Sequence, residues 1–166
     1  MNEGIIQIYY GEGHGKSTAA IGNAIRYASE GKSVIIIEFL KGKNENELAF
    51  LNRLEPEIKI FRFAKSDESF EELSEQEQQE EAMNLRNGFN YGKKVVMTAA
   101  CDMLILDEVL GVIDEKVVTP QEMQELFENK PDDMTLICTG RVLEDSIRPY
   151  ADEIYNIAPE KIRIDE

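Results

Sequence analysis

A glycine-rich segment near the N-terminus has the residue types needed to hold a polyphosphate. Residues 10–18 read Tyr-Gly-Glu-Gly-His-Gly-Lys-Ser-Thr. Glycines let backbone N–H groups approach phosphate oxygens without a Cβ atom in the way, a lysine supplies a point charge to the distal phosphates, and a hydroxyl can bind Mg²⁺. The ammonium group of Lys16 is expected to be exposed while the site is empty. The segment therefore predicts a phosphate loop that binds ATP together with Mg²⁺.

The loop is flanked by the elements that such a site requires. An apolar, β-branched stretch at residues 4–10 predicts a buried strand, and an alanine-rich stretch at residues 16–29, closed by Gly31, predicts a helix. This helix would add the positive end of its dipole to the site. The strict phosphate-loop motif has a glycine five residues before Gly15, at the position of Tyr10. In this chain that glycine comes one residue later, at Gly11. The candidate nucleotide-binding residues of the loop are Gly11, Glu12, Gly13, His14, Gly15, Lys16, Ser17 and Thr18.

Two acidic residues after a later apolar strand supply the pattern of a magnesium site. Asp107 and Glu108 follow directly on Leu106, so we expect them at the carboxyl-terminal edge of the sheet. Ligands of open α/β sheets bind at that edge, and a phosphate loop with Mg²⁺ usually needs an acidic residue at the end of a neighbouring strand. The sequence thus predicts Ser17, Asp107 and Glu108 as metal ligands.

Cationic side chains follow two other predicted strands. Lys41 comes after the second strand, and Arg141 belongs to a Thr-Gly-Arg sequence that follows another strand ending at Cys138. In a parallel sheet both would face the same edge as the phosphate loop and form a cationic rim around a bound anion. Arg26 lies ten residues beyond Lys16. Its side chain either reaches the nucleotide or is only a solvent-exposed charge on the helix surface. His14 either contacts phosphate or is an exposed loop residue.

Strands and helices alternate along the whole chain, which predicts an α/β fold of the P-loop NTPase type, with a mainly parallel sheet and helices on both faces. Residues 34–37 are continuously apolar, as is typical of a strand covered on both faces. Capping patterns predict helix starts at Ser74, in a helix expected to run to about residue 100, and at Thr119. The chain shows no repeat or linker, so residues 1–166 are interpreted as one nucleotide-binding domain. The other predicted elements are strands at 33–40, 58–63, 103–106, 134–138 and 153–157 and a short helix near 142–150.

The composition excludes some classes of partner. The formal net charge is −15, and nucleic acid and anionic membranes both need clustered lysine and arginine, so neither is an expected partner. No apolar run approaches the roughly 18 residues of a membrane span, and the N-terminus lacks the basic start of a signal peptide. Cys101 and Cys138 match no metal spacing and lie in or beside apolar runs, which indicates buried free thiols in a reducing compartment. A cytoplasmic location is therefore expected.

The same motifs resemble those of the P-loop type of ATP:corrinoid adenosyltransferase of the cobalamin pathway. Residues 11–20 match that family's loop, roughly Gly-Asn-Gly-Lys-Gly-Lys-Thr-Thr-Ala-Ala, including the shifted first glycine, although His14 replaces its first lysine. Glu-Phe-Leu-Lys-Gly at 38–42 and Leu-Asp-Glu at 106–108 resemble its motifs after the second strand and at the acidic pair. Thr-Gly-Arg at 139–141 and Ala-Asp at 151–152 follow in the family's order.

The resemblance implies that Co(I) of a corrinoid attacks the 5′ carbon of ATP and that triphosphate leaves whole. Because the nucleophile belongs to the corrinoid, no catalytic side chain of the protein is expected. The protein would orient the 5′ carbon and neutralise the leaving triphosphate. By residue match, Arg26, Lys41 and Arg141 join the loop in the nucleotide site, with ATP and Mg²⁺ as ligands and the corrinoid as substrate.

Contacts to the corrinoid are expected from residues 41–89, because aromatic side chains suit the apolar face of a corrinoid. A second subunit is expected to supply part of this site, which implies a homodimer, and a reductant protein is a further candidate partner. The aromatic residues of this region are Phe50, Phe61, Phe63, Phe70 and Phe89.

Two alternatives remain open from the residues. The chain could be an ATP-binding P-loop protein, a regulator or an ATPase, that has lost or changed corrinoid transfer. A nucleotide kinase fits less well, because no arginine-rich lid segment is present in the sequence. The phosphate-containing product of ATP distinguishes these alternatives from a transferase, because only the transferase releases intact triphosphate.

Overall fold

The computed structural model describes residues 3–40 and 49–164. Its strands are β1 (Ile6–Tyr10), β2 (Val34–Glu38), β3 (Ile58–Arg62), β4 (Met103–Asp107), β5 (Thr135–Gly140) and β6 (Glu153–Asn156). They form one six-stranded sheet in the order β3-β2-β4-β5-β1-β6, and every pair is parallel. The carboxyl-terminal ends of all six strands therefore lie along one edge.

The α-helices whose bounds lie within the described residues are α1 (Lys16–Ser29), α2 (Glu75–Met97), α3 (Val109–Asp114) and α4 (Pro120–Glu128). Ser74 and Thr119, at which the capping patterns predicted helix starts, are the N-cap residues of α2 and α4, and each forms a complete capping box. Short 3₁₀-helices occur at Asn52–Leu54, Phe70–Glu72 and Asp145–Tyr150. No helix within the described ranges is long and apolar enough to cross a membrane.

Alternate residues of each central strand face opposite sides of the sheet. On β4, Leu104 and Leu106 belong to one buried apolar cluster, and Met103 and Ile105 belong to a second. The first cluster includes side chains of α2, α3 and α4, whereas the second includes two alanines of α1. The helices thus cover both faces, which explains why every residue of β2, β4 and β5 is buried. The predicted α/β fold with a parallel sheet is confirmed.

Two elements differ from the sequence-based expectation. The helix α3 was not predicted, because it has only six residues, contains Gly111 and begins after Glu108 without a side-chain cap. The predicted short helix near residue 150 is a 3₁₀-helix that contains Pro149, whose ring lacks an N–H and restricts the preceding residue. Most strand ends differ from the predicted ones by one or two residues.

Both cysteines are buried free thiols, as the sequence predicted. Burial raises the pKa of Cys101 to about 12, and the full burial of Cys138 raises the pKa of that thiol as well. Both groups are therefore protonated at neutral pH and act as small apolar side chains.

Candidate functional site

The phosphate loop connects β1 to α1 at the carboxyl-terminal edge of the sheet. Gly11 and Gly15 have φ angles of 126° and 107°, a region that only glycine adopts readily. A Cβ atom on Gly11 would lie 2.6 Å from Oδ1 of Asn156, whereas one on Gly15 would meet no described atom within 4 Å. Gly11 is therefore required by space and conformation, and Gly15 by conformation alone. The space beside Gly15 is open.

Two loop N–H groups donate to the protein itself. Gly11 donates to the carbonyl oxygens of Gly140 and Arg141, at 3.2 and 3.1 Å, and Gly13 donates to that of Ile157, at 2.8 Å. These bonds fasten the loop to the ends of β5 and β6. The sequence-based expectation was that glycine N–H groups would turn toward phosphate; at Gly11 and Gly13 the N–H groups donate to protein carbonyls.

The first turn of α1 offers backbone donors. Gly15 is its N-cap in a left-handed conformation, without a side-chain hydrogen bond to the helix and without an acidic residue in the first turn. By contrast, α2 and α4 each have a complete capping box. The first N–H groups of any helix need an external acceptor, and together with the helix dipole they favour an anion. The start of α1 is therefore suited to phosphate oxygens.

Lys16 is buried rather than exposed, which corrects the sequence-based expectation. Lys16 is 9% exposed. Its ammonium nitrogen donates to the carbonyl oxygens of Gly11 and Gly13, at 2.7 and 2.8 Å. The side chain folds back over the loop, and two carbonyls replace water around the charge. Because carbonyl dipoles only partly compensate a buried ammonium, an entering phosphate would be a stronger partner.

The predicted metal ligands Ser17 and Asp107 lie together, although 90 residues separate them in sequence. The hydroxyl of Ser17 donates to Oδ1 of Asp107, at 2.8 Å. The hydroxyl of Thr139 donates to the same oxygen, at 2.7 Å, and Asp107 is only 3% exposed. A serine whose proton is already donated to a carboxylate presents an oxygen lone pair to a cation.

Glu108, the other predicted metal ligand, occupies the turn between β4 and α3. Its backbone is left-handed, with a φ of 65°, and its N–H donates to the hydroxyl of Thr139, at 2.9 Å. Close packing supports this turn, because a Cβ atom on Gly140 would overlap Leu110 of α3. Glu108 is half-buried beside Asp107 at the same strand end.

These oxygen donors fit Mg²⁺. Within residues 3–40 and 49–164, no group of three or more His, Cys, Asp or Glu side chains could hold a metal ion by itself. Mg²⁺ commonly binds through one or two carboxylates together with substrate phosphates and water. The hydroxyl of Ser17 and the carboxylate of Asp107 provide such a partial set, which a bound triphosphate would complete.

Arg141 and Glu12 form an ion pair that joins β5 to the phosphate loop. Nη2 of Arg141 lies 2.6 Å from Oε2 of Glu12, and the two side chains are 69% and 63% exposed. Hydrogen bonding to Arg141 lowers the pKa of Glu12, and Glu12 in turn raises the pKa of Arg141. Such an exposed pair is screened by salt, so the guanidinium can exchange this partner for a stronger anion.

The remaining predicted residues of the nucleotide site are His14, Thr18, Arg26 and Lys41. His14 and Thr18 are exposed in the loop and in the first turn of α1. Arg26 follows Lys16 by about 15 Å along the helix axis, donates to Oδ1 of Asn23, at 3.0 Å, and lines a groove of about 780 Å³ beside β6. Its role in the nucleotide site remains a prediction. Lys41 lies outside the described residues.

Sequence reasoning assigned no role to Arg148. Its guanidinium lies 5.3 Å from the ring centre of Tyr10, and Nε donates to Oδ1 of Asp145, at 3.0 Å. A hydrogen bond with Tyr10 raises the pKa of Arg148. The tyrosine that replaces the first glycine of the strict pattern is thus covered by a cation from the 3₁₀-helix Asp145–Tyr150. No local sequence signal could have revealed this contact.

A second cavity lies one strand away from Asp107. Phe39 directly follows β2 and donates its N–H to the carbonyl oxygen of Asp107, at 3.0 Å. It forms one wall of a cavity of about 220 Å³, whose other apolar residues are Leu40, Ala64 and Phe70. Residues 66–69 and Glu81 line its polar side. This cavity and the phosphate loop open on the same edge of the sheet.

The predicted aromatic residues of the 41–89 region have different surroundings. Phe89 is fully buried in the core, and Phe50 is exposed. The rings of Phe61 and Phe63 pack on Tyr91, with centroid distances of 4.9 and 5.8 Å. Residues 41–48 of the region lie outside the described part of the chain.

Comparison with known proteins points to one family. The family described as ATP:corrinoid adenosyltransferase BtuR/CobO/CobP matches residues 2–166. Corrinoid adenosyltransferase of Escherichia coli strain K12 is 28% identical over 162 residues, which are 98% of this chain and 80% of that protein. Corrinoid adenosyltransferase CobA of Salmonella typhimurium is 29% identical over the same shares of the two chains. The solved structure of flagellar accessory protein FlaH from Methanocaldococcus jannaschii is similar in fold, with a TM-score of 0.62 at 17% identity, over 94% of this chain and 72% of that one.

Proposed function

The chain belongs to the ATP:corrinoid adenosyltransferase family, and we propose that it transfers the 5′-deoxyadenosyl group of ATP to the Co(I) centre of a corrinoid. The observation that carries this proposal is the family match over residues 2–166, which includes every motif of the nucleotide site. In the reaction the electron pair of Co(I) forms a bond to the 5′ carbon, and the bond from that carbon to the triphosphate oxygen breaks. Cobalt becomes formally Co(III), and triphosphate carries away the electron pair of the broken bond.

The protein's task in this reaction is electrostatic and geometric. The leaving triphosphate gains negative charge, which preorganised donors stabilise. We propose that Lys16 and the first turn of α1 bind its oxygens, and that Arg141 exchanges Glu12 for the triphosphate. No general base is required, because the nucleophile carries no proton.

Mg²⁺ would neutralise part of the triphosphate charge when bound. We propose that Ser17, Asp107 and Glu108 hold it. The short contacts of the buried Asp107 carboxylate with the hydroxyls of Ser17 and Thr139 support this proposal, because they bring a carboxylate and a loop hydroxyl together at one strand end. Arg26 and Lys41 remain candidates of the nucleotide site by residue match.

For the corrinoid we propose the region of residues 41–89, together with the adjoining cavity between Phe39 and Phe70. Its position one strand from Asp107 supports a site that brings cobalt near the 5′ carbon. The cavity is much smaller than a corrinoid, so it can take only part of the macrocycle or a peripheral group. This size supports the proposal that a second subunit covers the rest, in a homodimer.

The proposal also includes a reductant, a cellular compartment and a domain organisation. Each turnover consumes one corrinoid in the Co(I) state, so a reductant that produces this state, for example a reductant protein, is a required partner. Buried thiols at Cys101 and Cys138 suit a reducing compartment, in agreement with the cytoplasm. All six strands join one sheet, which supports one nucleotide-binding domain.

The phosphorus product tests this function. We expect anaerobic incubation with ATP and chemically reduced cobalamin to give the absorbance change of a new cobalt–carbon bond and intact triphosphate in equal amount. Attack at carbon leaves the three phosphates joined, whereas an ATPase or kinase cleaves the terminal one. Phosphorus NMR of the spent reaction separates the two. ADP that accumulates in step with turnover would refute the transferase and favour a nucleotide-hydrolysing protein.

Phe70→Ala should weaken corrinoid binding about tenfold and leave ATP binding unchanged. Phe70 lines the cavity and is half-buried, so its loss removes apolar area of roughly the size that supports such an effect. Tyr155→Ala is the matched control, because this ring is 48% exposed on β6, on the far side of β1. The measurement is a cobalamin titration with ATP present. Equal corrinoid affinity of both variants and the wild type would remove the cavity from the corrinoid site.

A further inference from the structure

One hydroxyl contacts both acidic residues of the proposed metal site. Thr139, the fifth residue of β5, has an exposed fraction of 0%. Its Oγ1 donates to Oδ1 of Asp107, at 2.7 Å, and accepts from the N–H of Glu108, at 2.9 Å. The donor and acceptor functions of the hydroxyl are both used, so its orientation is fixed.

The strand order explains this arrangement. In the sheet, β5 lies between β4, which ends in Asp107, and β1, which leads into the phosphate loop. Thr139 pairs with Tyr9 on the loop side, and Cys138 pairs with Leu106 on the other. Through the side chain of Thr139, β5 can therefore fix the positions of Asp107 and Glu108 relative to the phosphate loop.

The first effect of the hydroxyl is on the carboxylate. Ser17 and Thr139 both donate to Oδ1 of Asp107. Among the described residues no hydrogen bond reaches Oδ2, so this oxygen is the one left for a cation or its bound water. Without Thr139, the hydroxyl of Ser17, itself a proposed metal ligand, would be the one hydrogen-bond donor to this carboxylate from residues 3–40 and 49–164.

The second effect is on the backbone. Glu108 has a φ of 65°, which is unfavourable for a residue with a Cβ atom. Its N–H bond to Thr139 compensates for this conformation and fixes the point where the chain leaves β4 for α3. The direction of the Glu108 side chain depends on that turn.

We propose that Thr139 is a positioning residue, whose hydroxyl holds Asp107 and Glu108 in the geometry that binds the metal of the metal–ATP complex. In this proposal its fully buried hydroxyl acts through the two acidic residues and does not bind the metal or the nucleotide itself. The inference rests on the proposed metal site at Ser17 and Asp107. It predicts that the metal dependence of ATP binding changes when the hydroxyl is lost, and that metal-free ATP binding does not.

The test compares Thr139→Val, which keeps the shape and removes the hydroxyl, with Thr139→Ser, which keeps the hydroxyl. The matched control is Thr135→Val on the same strand, because Thr135 is 2% exposed and its hydroxyl accepts from the N–H of Ile5, at 3.3 Å, at the opposite edge of the sheet. Circular dichroism checks folding, and Thr139→Ala replaces the valine variant if that one does not fold. ATP is titrated by calorimetry with and without Mg²⁺, and Mn²⁺ paramagnetic resonance reports the coordination of the metal.

We expect Thr139→Val to weaken MgATP binding at least tenfold, to change metal-free ATP binding less than about twofold, and to alter the Mn²⁺ spectrum. Thr139→Ser should stay within threefold of the wild type, and Thr135→Val should lower only thermal stability. Wild-type metal dependence in Thr139→Val, an equal loss in Thr139→Ser, or the same shift in Thr135→Val would each overturn the proposal. If Asp107→Asn also keeps wild-type metal dependence, the proposed metal site itself is wrong; if only Thr139→Val does, the positioning role alone fails.

Discussion

Lys16→Ala should abolish detectable ATP binding, with a loss of affinity of at least about a hundredfold, or about 2.7 kcal/mol. The ammonium of Lys16 is the main cationic side-chain group in the loop, and the residue as a whole is only 9% exposed. Charge-assisted bonds to phosphate in a desolvated site are among the strongest polar contacts. Calorimetric titration with MgATP measures the effect.

A matched lysine separates lost charge from lost stability. Lys130 donates to the carbonyl oxygens of Pro131 and Met134, both at 2.7 Å, and to that of Gly4, at 3.3 Å. It lies at the amino-terminal edge of the sheet, opposite the phosphate loop. We expect Lys130→Ala to lower the melting temperature and to bind ATP like the wild type. Unchanged ATP affinity in folded Lys16→Ala would mean that the loop is only structural.

Asp107→Asn should reduce Mg²⁺-dependent ATP affinity about a hundredfold and leave metal-free ATP affinity unchanged or slightly higher. Asparagine retains the shape and an acceptor for the hydroxyls of Ser17 and Thr139, but it removes the negative charge that attracts the cation. The same loss of charge reduces repulsion of the triphosphate. Titrations of ATP over a series of Mg²⁺ concentrations give both affinities. Glu108→Gln should show a smaller effect of the same kind, because Glu108 is less buried.

The same strand offers the control. Asp102 precedes β4, at its other end, and its Oδ2 accepts from the N–H of Ser33, at 2.8 Å, and from the hydroxyl of that residue, at 3.3 Å. Asp102→Asn therefore removes a carboxylate with similar bonds, far from the loop, and should leave metal dependence intact. If Asp107→Asn and Glu108→Gln both bind MgATP as the wild type does, the acidic partner of the phosphate loop lies elsewhere.

Local signals in the sequence were sufficient for the six strands, for α1, α2 and α4, and for the residue types of the candidate site, but not for α3. The glycines and Lys16 define the loop, capping residues define the starts of α2 and α4, and continuous apolar runs define the buried strands. The acidic pair at the end of β4 was predicted because apolar residues give way to charge at a strand end. These features depend on neighbours within a few residues, where spacing and propensity decide the conformation.

The tertiary structure alone decided which of these residues meet. Periodicity reports which positions are buried, but it contains no information on strand order. Only the order β4-β5-β1 places Thr139 beside Asp107, 32 residues away, and brings Arg141 to Glu12, 129 residues away. The burial of Lys16 has the same origin, because its carbonyl partners turn inward only when Gly11 and Gly13 are fastened to the ends of β5 and β6. The sequence by itself determined that a glycine-rich loop and an acidic strand end exist, and the packing of parallel strands determined that Ser17 of the loop and Asp107 of the strand end lie together.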